Sequence, residues 1–271
     1  MCRHLAHLGP PATLAALLLD PPHGLLHQSY APADMRGGGT INADGFGAGW
    51  YPGPGADAVR YRSDRPLWAD PAFAAVAGVT RSHAALAAVR SATVGMPVVA
   101  TAAAPFAEGR WLFSHNGVVR GWPDSVAAPA GGLPVVDLLT LDAPTDSALL
   151  WALVRHGLRT ASDPGRVLAG VVVAVAAVAP GSRLNLLLTD GTTIWATAWD
   201  HALSVRTTGG PTAAATVVSE PVDALPGWTA VPDRHLVTAV PGHHRIEPLT
   251  TVHDAGNGTT VPGPGDRMGV R

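Results

Sequence analysis

Apolar and polar residues alternate with a period of two in several short segments, which are also rich in β-branched residues. Because side chains in a strand point alternately to opposite faces, this spacing predicts strands with one buried face. The segments are Arg3–Leu8, Val59–Arg62, Arg110–Ser114, Leu184–Thr189, Thr193–Trp199, Leu203–Arg206, Thr216–Ser219 and His235–Val240. Asp190-Gly191 separates two of them and predicts a tight hairpin turn, since Asp-Gly accommodates positive φ values.

Helical spacing appears mainly in the middle of the chain. The predicted helices are Ala12–Leu19, Pro71–Val79, Asp146–Leu158 and the segment from Asp163-Pro164 to Pro180. Thr145 is suited to cap the third of these, whose leucines form one apolar stripe. Strands at both ends of the chain with helices between them favour an α+β sandwich over alternating βαβ units. We expect residues 1–255 to form a single domain and the Pro/Gly-rich residues 256–271 to form a flexible tail.

Composition narrows the classes of function. Of the 271 residues, 47% are hydrophobic and only 14% charged, and the net charge is −2, so neither disorder nor attraction to nucleic acid or anionic membranes is expected. A small molecule is the expected partner. All 18 basic residues are Arg, so the chain lacks the Lys that a P-loop or a pyridoxal enzyme requires.

The sequence contains one cysteine, Cys2, which excludes an intrachain disulfide and a multi-thiolate zinc site. A cytoplasmic location is expected, and the longest apolar run, Val167–Ala179, falls short of the roughly 20 residues of a membrane span. His243 and His244 are adjacent, so they point to opposite faces of a strand and cannot both reach one metal ion. We therefore predict neither a catalytic metal nor another cofactor.

Cys2 is positioned to become an N-terminal nucleophile. Met1 is readily removed before a small second residue, which would leave a thiol and an α-amine on one residue. The amine has an ordinary pKa of about 7.7–8, so it can accept the thiol proton near neutral pH. The alternative is an inert thiol near a chain end, and position alone does not exclude it.

Three further motifs follow in the chain. They are Arg90-Ser91-Ala92-Thr93-Val94-Gly95, Ser114-His115-Asn116-Gly117 and Thr145-Asp146-Ser147. Together with Cys2, and in this order, they resemble the class II glutamine amidotransferases, which are N-terminal-nucleophile hydrolases. The resemblance implies a four-layer αββα sandwich, in which two mainly antiparallel sheets lie between helices.

The resemblance also implies roles for individual residues. The Asn116 amide and the backbone N–H of Gly117 would stabilise the oxyanion that forms when an amide carbon is attacked. His115, beside them, would belong to the substrate-binding residues. Taken alone, Asn116-Gly117 is also the sequence of an ordinary hairpin turn.

A glutamyl group carries a carboxylate and an ammonium, and the resemblance supplies a partner for each. Arg90 would bind the carboxylate with help from the Thr93 hydroxyl, and Asp146 would bind the ammonium. Individually, Arg90 could be a surface residue and Asp146 a first-turn acid favoured by the helix dipole. The expected activity, hydrolysis of a γ-glutamyl amide, rests on the combination.

Within the family, the chain is most similar to the amidohydrolases of ergothioneine biosynthesis, which act on γ-glutamyl-hercynylcysteine sulfoxide. The matching segments are Met1–Ala6, Gln28–Pro32, Asn42–Gly45, Val89–Pro97, Ala104–Phe106, Ser114–Val119 and Ser219–Pro221. Ser91 and Val94 replace the Trp and His usual in ammonia-supplying members, and no synthase domain follows in this chain. The glycine-rich segment Asn42–Tyr51 is expected to form a wall of the pocket.

Three alternatives remain open at this stage. A γ-glutamyl-dipeptide hydrolase of glutathione turnover would use the same catalytic residues. A glutaminase subunit would pass ammonia to a partner synthase. A binding or scaffold protein with this fold would carry an unreactive Cys2.

Overall fold

A computed structural model describes residues 2–35 and 41–249 of the chain. The strands are β1 Arg3–Thr13, β2 Phe46–Trp50, β3 Val59–Ser63, β4 Arg81–Val89, β5 Phe106–Glu108, β6 Trp111–Val118, β7 Arg183–Thr189, β8 Ile194–Ala198, β9 Ser204–Thr208, β10 Ala214–Val218, β11 Thr229–Ala230, β12 His235–Val240 and β13 His243–Pro248. The α-helices are α1 Leu14–Leu18, α2 Leu25–Tyr30, α3 Pro71–Val79, α4 Ala127–Gly131, α5 Val135–Leu139, α6 Asp146–Leu158 and α7 Pro164–Val178. Short 3₁₀ turns lie at Leu67–Ala69, Ala100–Ala102, Asp124–Val126 and Gly210–Thr212.

The strands form two antiparallel sheets. The first sheet has the order β11-β9-β10-β1-β4-β2-β3, and the second has the order β13-β12-β8-β7-β6-β5. In the first sheet β1 lies centrally, with Leu5 opposite Val218 of β10 on one side and Ala87 of β4 on the other. The residue that follows Met1 is thereby joined to a strand that is paired on both edges.

Three apolar clusters show that the layers are helix, sheet, sheet, helix. One cluster lies between the sheets and includes Leu86, Leu112 and Leu187. The other two lie outside the sheets, where α1 and α3 cover the first sheet and α6 and α7 cover the second. The expected four-layer αββα sandwich is confirmed.

The predicted strands and helices are present, with shifted ends in several cases. Pro71–Val79 and Asp146–Leu158 have the predicted bounds, and Thr145 accepts a hydrogen bond from the Ala148 N–H as its cap. The predicted helix Ala12–Leu19 begins only at Leu14, because β1 continues through Thr13, whose hydroxyl caps α1. The predicted domain end at residue 255 and the tail 256–271 lie outside the described residues.

The turn between β7 and β8 is longer than predicted. Thr189 pairs with Ile194, which leaves four residues in the loop, and of the Asp-Gly pair only Gly191 has a positive φ, at 86°. Asp190 instead accepts hydrogen bonds from the N–H groups of Thr192 and Thr193 at 2.9 Å. The side chain therefore closes the loop as an Asx turn.

The glycines of β2 let the two sheets approach each other. A Cβ on Gly47 would lie 2.4 Å from the Ala104 carbonyl oxygen, and one on Gly49 would lie 2.7 Å from the Leu112 side chain. These glycines do not line the cavity at Cys2, whereas Ala104 does. The segment expected to form the pocket wall thus lies directly behind the residues that line the cavity.

None of the helices in residues 2–35 and 41–249 is long and apolar enough to cross a membrane.

Candidate active site

Cys2 precedes β1 and opens into a narrow cavity between the sheets. Arg90, His115 and Ser147 line the cavity with it, together with small residues of β4 and of the segment before β5. The Cys2 thiol donates to the Ser91 carbonyl oxygen at 3.7 Å, a weak contact for sulfur. Three of the motifs identified in the sequence therefore meet at the thiol.

Asn116 is fully buried and is held against the start of β1. Its Nδ2 donates to the Ser219 hydroxyl at 3.0 Å, and the same hydroxyl accepts the His4 N–H at 3.0 Å. The Asn116 Oδ1 is buried and has no hydrogen-bond partner in the described part of the chain. Rotating the Asn116 side-chain amide by half a turn would exchange the positions of its oxygen and nitrogen. Oδ1 would then accept from the Ser219 hydroxyl, and Nδ2 would be free to donate to another group.

Gly117 lies where the sheet leaves a backbone amide directed toward the site. Leu184 of β7 lies opposite Gly117. It donates its N–H to the Trp199 carbonyl oxygen, on the side of β7 that faces away from β6. The Val119 N–H, directly after the end of β6, is donated to the Asp146 carboxylate at 2.9 Å, and amides two residues apart in an extended chain point the same way. A Cβ on Gly117 would lie 1.9 Å from the Arg183 carbonyl oxygen, so only glycine fits here.

Asp146 is the first residue of α6 and is 7% exposed. One carboxylate oxygen accepts the Val119 N–H, and the other accepts the Ser147 N–H at 2.7 Å. Asp146 itself does not line the Cys2 cavity, but the next residue, Ser147, does. The Asp146 carboxylate is thus fixed behind the cavity, and each of its oxygens can accept a further hydrogen bond.

Both ring nitrogens of His115 have partners. Nε2 lies 2.9 Å from the Arg183 carbonyl oxygen, which can only accept, so Nε2 carries the proton. Nδ1 lies 3.0 Å from the Ser147 hydroxyl and accepts from it. The ring is therefore held in one orientation between β7 and α6, with its surface facing the cavity.

Arg90 lies at the end of β4 and lines the cavity. Its backbone N–H is donated to Gly45 at 2.8 Å, and its Nη1 donates to the Pro97 carbonyl oxygen at 2.9 Å. The Asp44 carboxylate accepts the Ala92 N–H at 2.8 Å, which fixes the start of the loop. Thr93, at the tip of the same loop, is exposed and does not line the cavity.

A buried ion pair that the sequence reasoning missed holds the chain beside the thiol. The Arg3 guanidinium pairs with Glu220, and Arg3 also donates to the Cys2 carbonyl oxygen at 2.9 Å. Burial alone raises the pKa of Glu220, but its hydrogen bond to His23, the charge of Arg3 and the Ala33 N–H together lower it. The sequence signals were the matching segments Met1–Ala6 and Ser219–Pro221, neither of which indicates a partner 217 positions away.

His4 lies in the core beside the site and stays neutral. The pKa of His4 is lowered to about 3. Burial is the main cause, and electrostatic repulsion from His201, His115 and Arg3 adds to it. His7, two residues on along β1, has its pKa lowered to about 4 by burial and by Arg206. In the unfolded chain both would titrate near 6.5.

We expect the free energy of unfolding to fall on mild acidification because of His4 and His7. Below about pH 6.5 the unfolded chain binds protons that the folded chain does not, so the loss is about 1.4 kcal/mol for each histidine by about pH 5.5. Urea unfolding between about pH 7.5 and 5.5 measures it. His7→Gln should halve the loss, and a stability that stays constant over this range would contradict the prediction.

Among the described residues no group of three or more His, Cys, Asp and Glu side chains is arranged to hold a metal ion. The residues near Cys2 offer a thiol, backbone and side-chain amide groups, one cation and one anion.

Comparison with known proteins identifies the family of the chain. The family model of the glutamine amidotransferases class-II matches residues 14–238. The gamma-glutamyl-hercynylcysteine sulfoxide hydrolase of Mycolicibacterium smegmatis is 44% identical over 92% of this chain and 100% of its own length. The protein of the same name from Mycobacterium tuberculosis is 45% identical over 88% of this chain and 92% of its own.

Solved structures show the same fold. A glutamine aminotransferase class-II domain protein from Silicibacter pomeroyi superposes with a TM-score of 0.65 at 25% identity, covering 92% of this chain and 99% of that one. The glutamine phosphoribosylpyrophosphate amidotransferase of B. subtilis superposes with a TM-score of 0.63 at 13% identity, over 92% of this chain and 49% of that one. Because the family model spans most of the chain and the curated relatives match along nearly their whole length, this protein belongs to the class-II glutamine amidotransferases.

Proposed function

We propose that the protein hydrolyses the γ-glutamyl amide of γ-glutamyl-hercynylcysteine sulfoxide, releasing glutamate and hercynylcysteine sulfoxide in ergothioneine biosynthesis. The observation that carries the proposal is the identity of 44% along the entire length of a hydrolase named for this substrate. The geometry supports it, since Cys2, Arg90 and His115 share one cavity. The free thiol of Cys2 fits a reducing, cytoplasmic compartment.

In the proposed mechanism Met1 is removed and the α-amine of Cys2 takes the thiol proton. The thiolate attacks the γ-carbonyl carbon, the C–N bond breaks, and the proton held by the amine passes to the leaving nitrogen. The glutamyl group is then a thioester on Cys2. Water, deprotonated by the same amine, attacks the thioester and frees glutamate and the thiol.

The oxyanion of both tetrahedral intermediates is proposed to lie between Asn116 and Gly117. The half-turn of the Asn116 amide would provide the first donor while its oxygen satisfies the Ser219 hydroxyl. The Gly117 N–H, which points to the Asp146 side of β6, would provide the second. Removing one such donor typically lowers the rate about 100- to 1000-fold.

The glutamyl group is proposed to lie between Arg90 and Asp146. Arg90 keeps donors beyond those used by Pro97, so it can pair with the α-carboxylate. Asp146 would bind the α-ammonium with its remaining lone pairs, and His115 would pack against the chain between the two charges. Thr93 would reach the carboxylate when the exposed loop that follows Arg90 closes over the substrate.

The leaving group is proposed to extend into a second, larger cleft. This cleft has a volume of about 1000 Å³ and is lined by Ser219 and Glu220 together with Asp200 and Asp233. Ser219 touches Asn116, so the cleft begins next to the proposed oxyanion site. Its carboxylates suit the trimethylammonium of a hercynyl group, which is cationic.

The test is glutamate release from three substrates at equal concentration. We expect γ-glutamyl-hercynylcysteine sulfoxide to be cleaved with the highest kcat/KM, followed by glutathione and then glutamine. A preference for glutathione would assign the protein to glutathione turnover instead. A glutaminase activity that rises strongly with a co-purifying synthase would identify an ammonia-supplying subunit, and both outcomes would reject the substrate proposed here.

A further inference from the structure

Arg183 opens β7 and faces the gap between the two sheets. On β6, Ser114 contacts His4 and Asn116 contacts Ser219, so these alternate residues point toward the first sheet. Asn185 lies opposite Asn116, and Arg183 lies opposite Val118, one step further in the same direction. The N-terminal end of β1 packs against β6 and β7. Arg183 therefore lies near Cys2, with which it interacts electrostatically.

The Arg183 guanidinium has no partner of its own in residues 2–35 and 41–249. Its Nε is buried without a hydrogen bond, and within this part of the chain neither its side chain nor that of Arg120, which acts on it electrostatically, forms an ion pair. Burial and the charge of Arg120 lower the pKa of Arg183, while the side chains of Cys2 and Asp200 act against them. A partly desolvated cation without a counter-ion destabilises the folded state, and such groups concentrate at functional sites.

Two of the groups that interact electrostatically with Arg183, Cys2 and Asp200, also relate it to the path of the substrate. Cys2 marks the scissile amide, and Asp200 lines the larger cleft proposed for the leaving group. An anionic group bound by Arg183 would therefore lie on the leaving-group side of the amide and close to it. The α-carboxylate of the glutamyl half is already assigned to Arg90, which lines the Cys2 cavity, whereas Arg183 does not line it.

We propose that Arg183 binds the carboxylate carried by the carbon atom next to the scissile nitrogen. This assignment rests on the proposed function, because the substrate joins its γ-glutamyl group to the amine of a cysteine, whose own carboxylate occupies that position. A planar guanidinium can pair with a carboxylate through two parallel hydrogen bonds. Glutamine has no such carboxylate, so Arg183 would select γ-glutamyl amino acids over glutamine.

The experiment compares two substrates that differ only in this group. One is γ-glutamyl-hercynylcysteine sulfoxide, and the other is its decarboxy analogue, in which cysteamine replaces cysteine. A charge-assisted pair should make the wild-type kcat/KM about 10- to 100-fold higher for the first. In Arg183→Met this ratio should fall close to one, and in Arg183→Lys it should take an intermediate value because the charge remains.

The matched control is Arg245→Met, which removes an exposed arginine of β13 that pairs with Glu247. It should keep the wild-type ratio. Arg183→Met should unfold at or above the wild-type temperature, because an unpaired charge has been removed. An equal loss on both substrates in Arg183→Met, or a wild-type ratio near one, would overturn the assignment of Arg183 alone. A wild-type protein inactive on both substrates would overturn the proposed function and this assignment with it.

Discussion

Replacing Cys2 with alanine is expected to abolish glutamate release and leave the fold intact. The side chain is the proposed nucleophile, and removal of a nucleophile typically costs about 10⁴-fold or more in kcat. Among residues 2–35 and 41–249 its one side-chain hydrogen bond is the weak contact with the Ser91 carbonyl oxygen. We therefore expect the free energy of unfolding to change by less than about 1 kcal/mol.

Two measurements separate the loss of a nucleophile from other causes. The N-terminal mass of the wild-type protein should show that Met1 is absent, and acetylation of the α-amine should inactivate the protein while the thiol is still present. A γ-glutamyl electrophile should label Cys2 in the wild type and label nothing in Cys2→Ala. Turnover by Cys2→Ala within tenfold of the wild type, or full activity after acetylation, would rule out the mechanism.

Glu220→Gln is expected to destabilise the protein strongly, although the substitution is nearly isosteric. The Arg3 side chain is fully buried and that of Glu220 is 5% exposed, so the change leaves an uncompensated charge inside the protein. Breaking one side of such a pair costs roughly 3–5 kcal/mol. Activity should fall as well, because Arg3 also holds the carbonyl group of Cys2. Urea unfolding and the rate of glutamate release measure the two effects.

Two controls test whether charge is the cause. Glu247→Gln breaks an exposed pair with Arg245 and should cost less than about 1 kcal/mol. The double variant Arg3→Met with Glu220→Gln removes the buried charge altogether and should recover most of the stability lost in Glu220→Gln. A loss below about 1 kcal/mol in Glu220→Gln would show that Arg3 does not depend on this carboxylate.

The sequence predicted most of the strands and the longer helices, but not β2, β4, β5, β11 and β13 or the short helices α2, α4 and α5. The period of two is clear in β10, where Ala215 and Val217 are buried and Ala214 and Thr216 are half-buried, and the cap and apolar stripe are clear in α6. β4 was missed because its sequence, rich in alanine, carries no alternation. β4 lies inside the first sheet, is buried on both faces and carries small side chains where the two sheets approach closely. It forms a strand because of its position in the fold, and not because its residues have a high strand propensity.

Site residues could be predicted from the sequence where they belong to short motifs of neighbouring residues. Cys2, Arg90 and His115 line one cavity, as the order of the motifs suggested. Arg3, Ser219 and Arg183 were missed because their importance depends on partners far along the chain, which no local pattern reveals. The roles of Asn116, Gly117, Thr93 and Asp146 stay predictions, as do the roles of the residues in the cavity.

The central position of β1 also bears on the timing of the proposed removal of Met1. Arg3 and His4 are 0% exposed in the folded chain, and β1 cannot pair on both edges until β10, which begins at Ala214, has been synthesised. At ordinary translation rates of about 5–20 residues per second, this leaves β1 without its second partner for roughly 10–40 s. We expect the proposed removal of Met1 to take place within that interval, before Arg3 and His4 are buried. The specific activity of a preparation would then report how fully the initiator methionine was trimmed during synthesis, and rapid overexpression would yield a well-folded but partly dormant population.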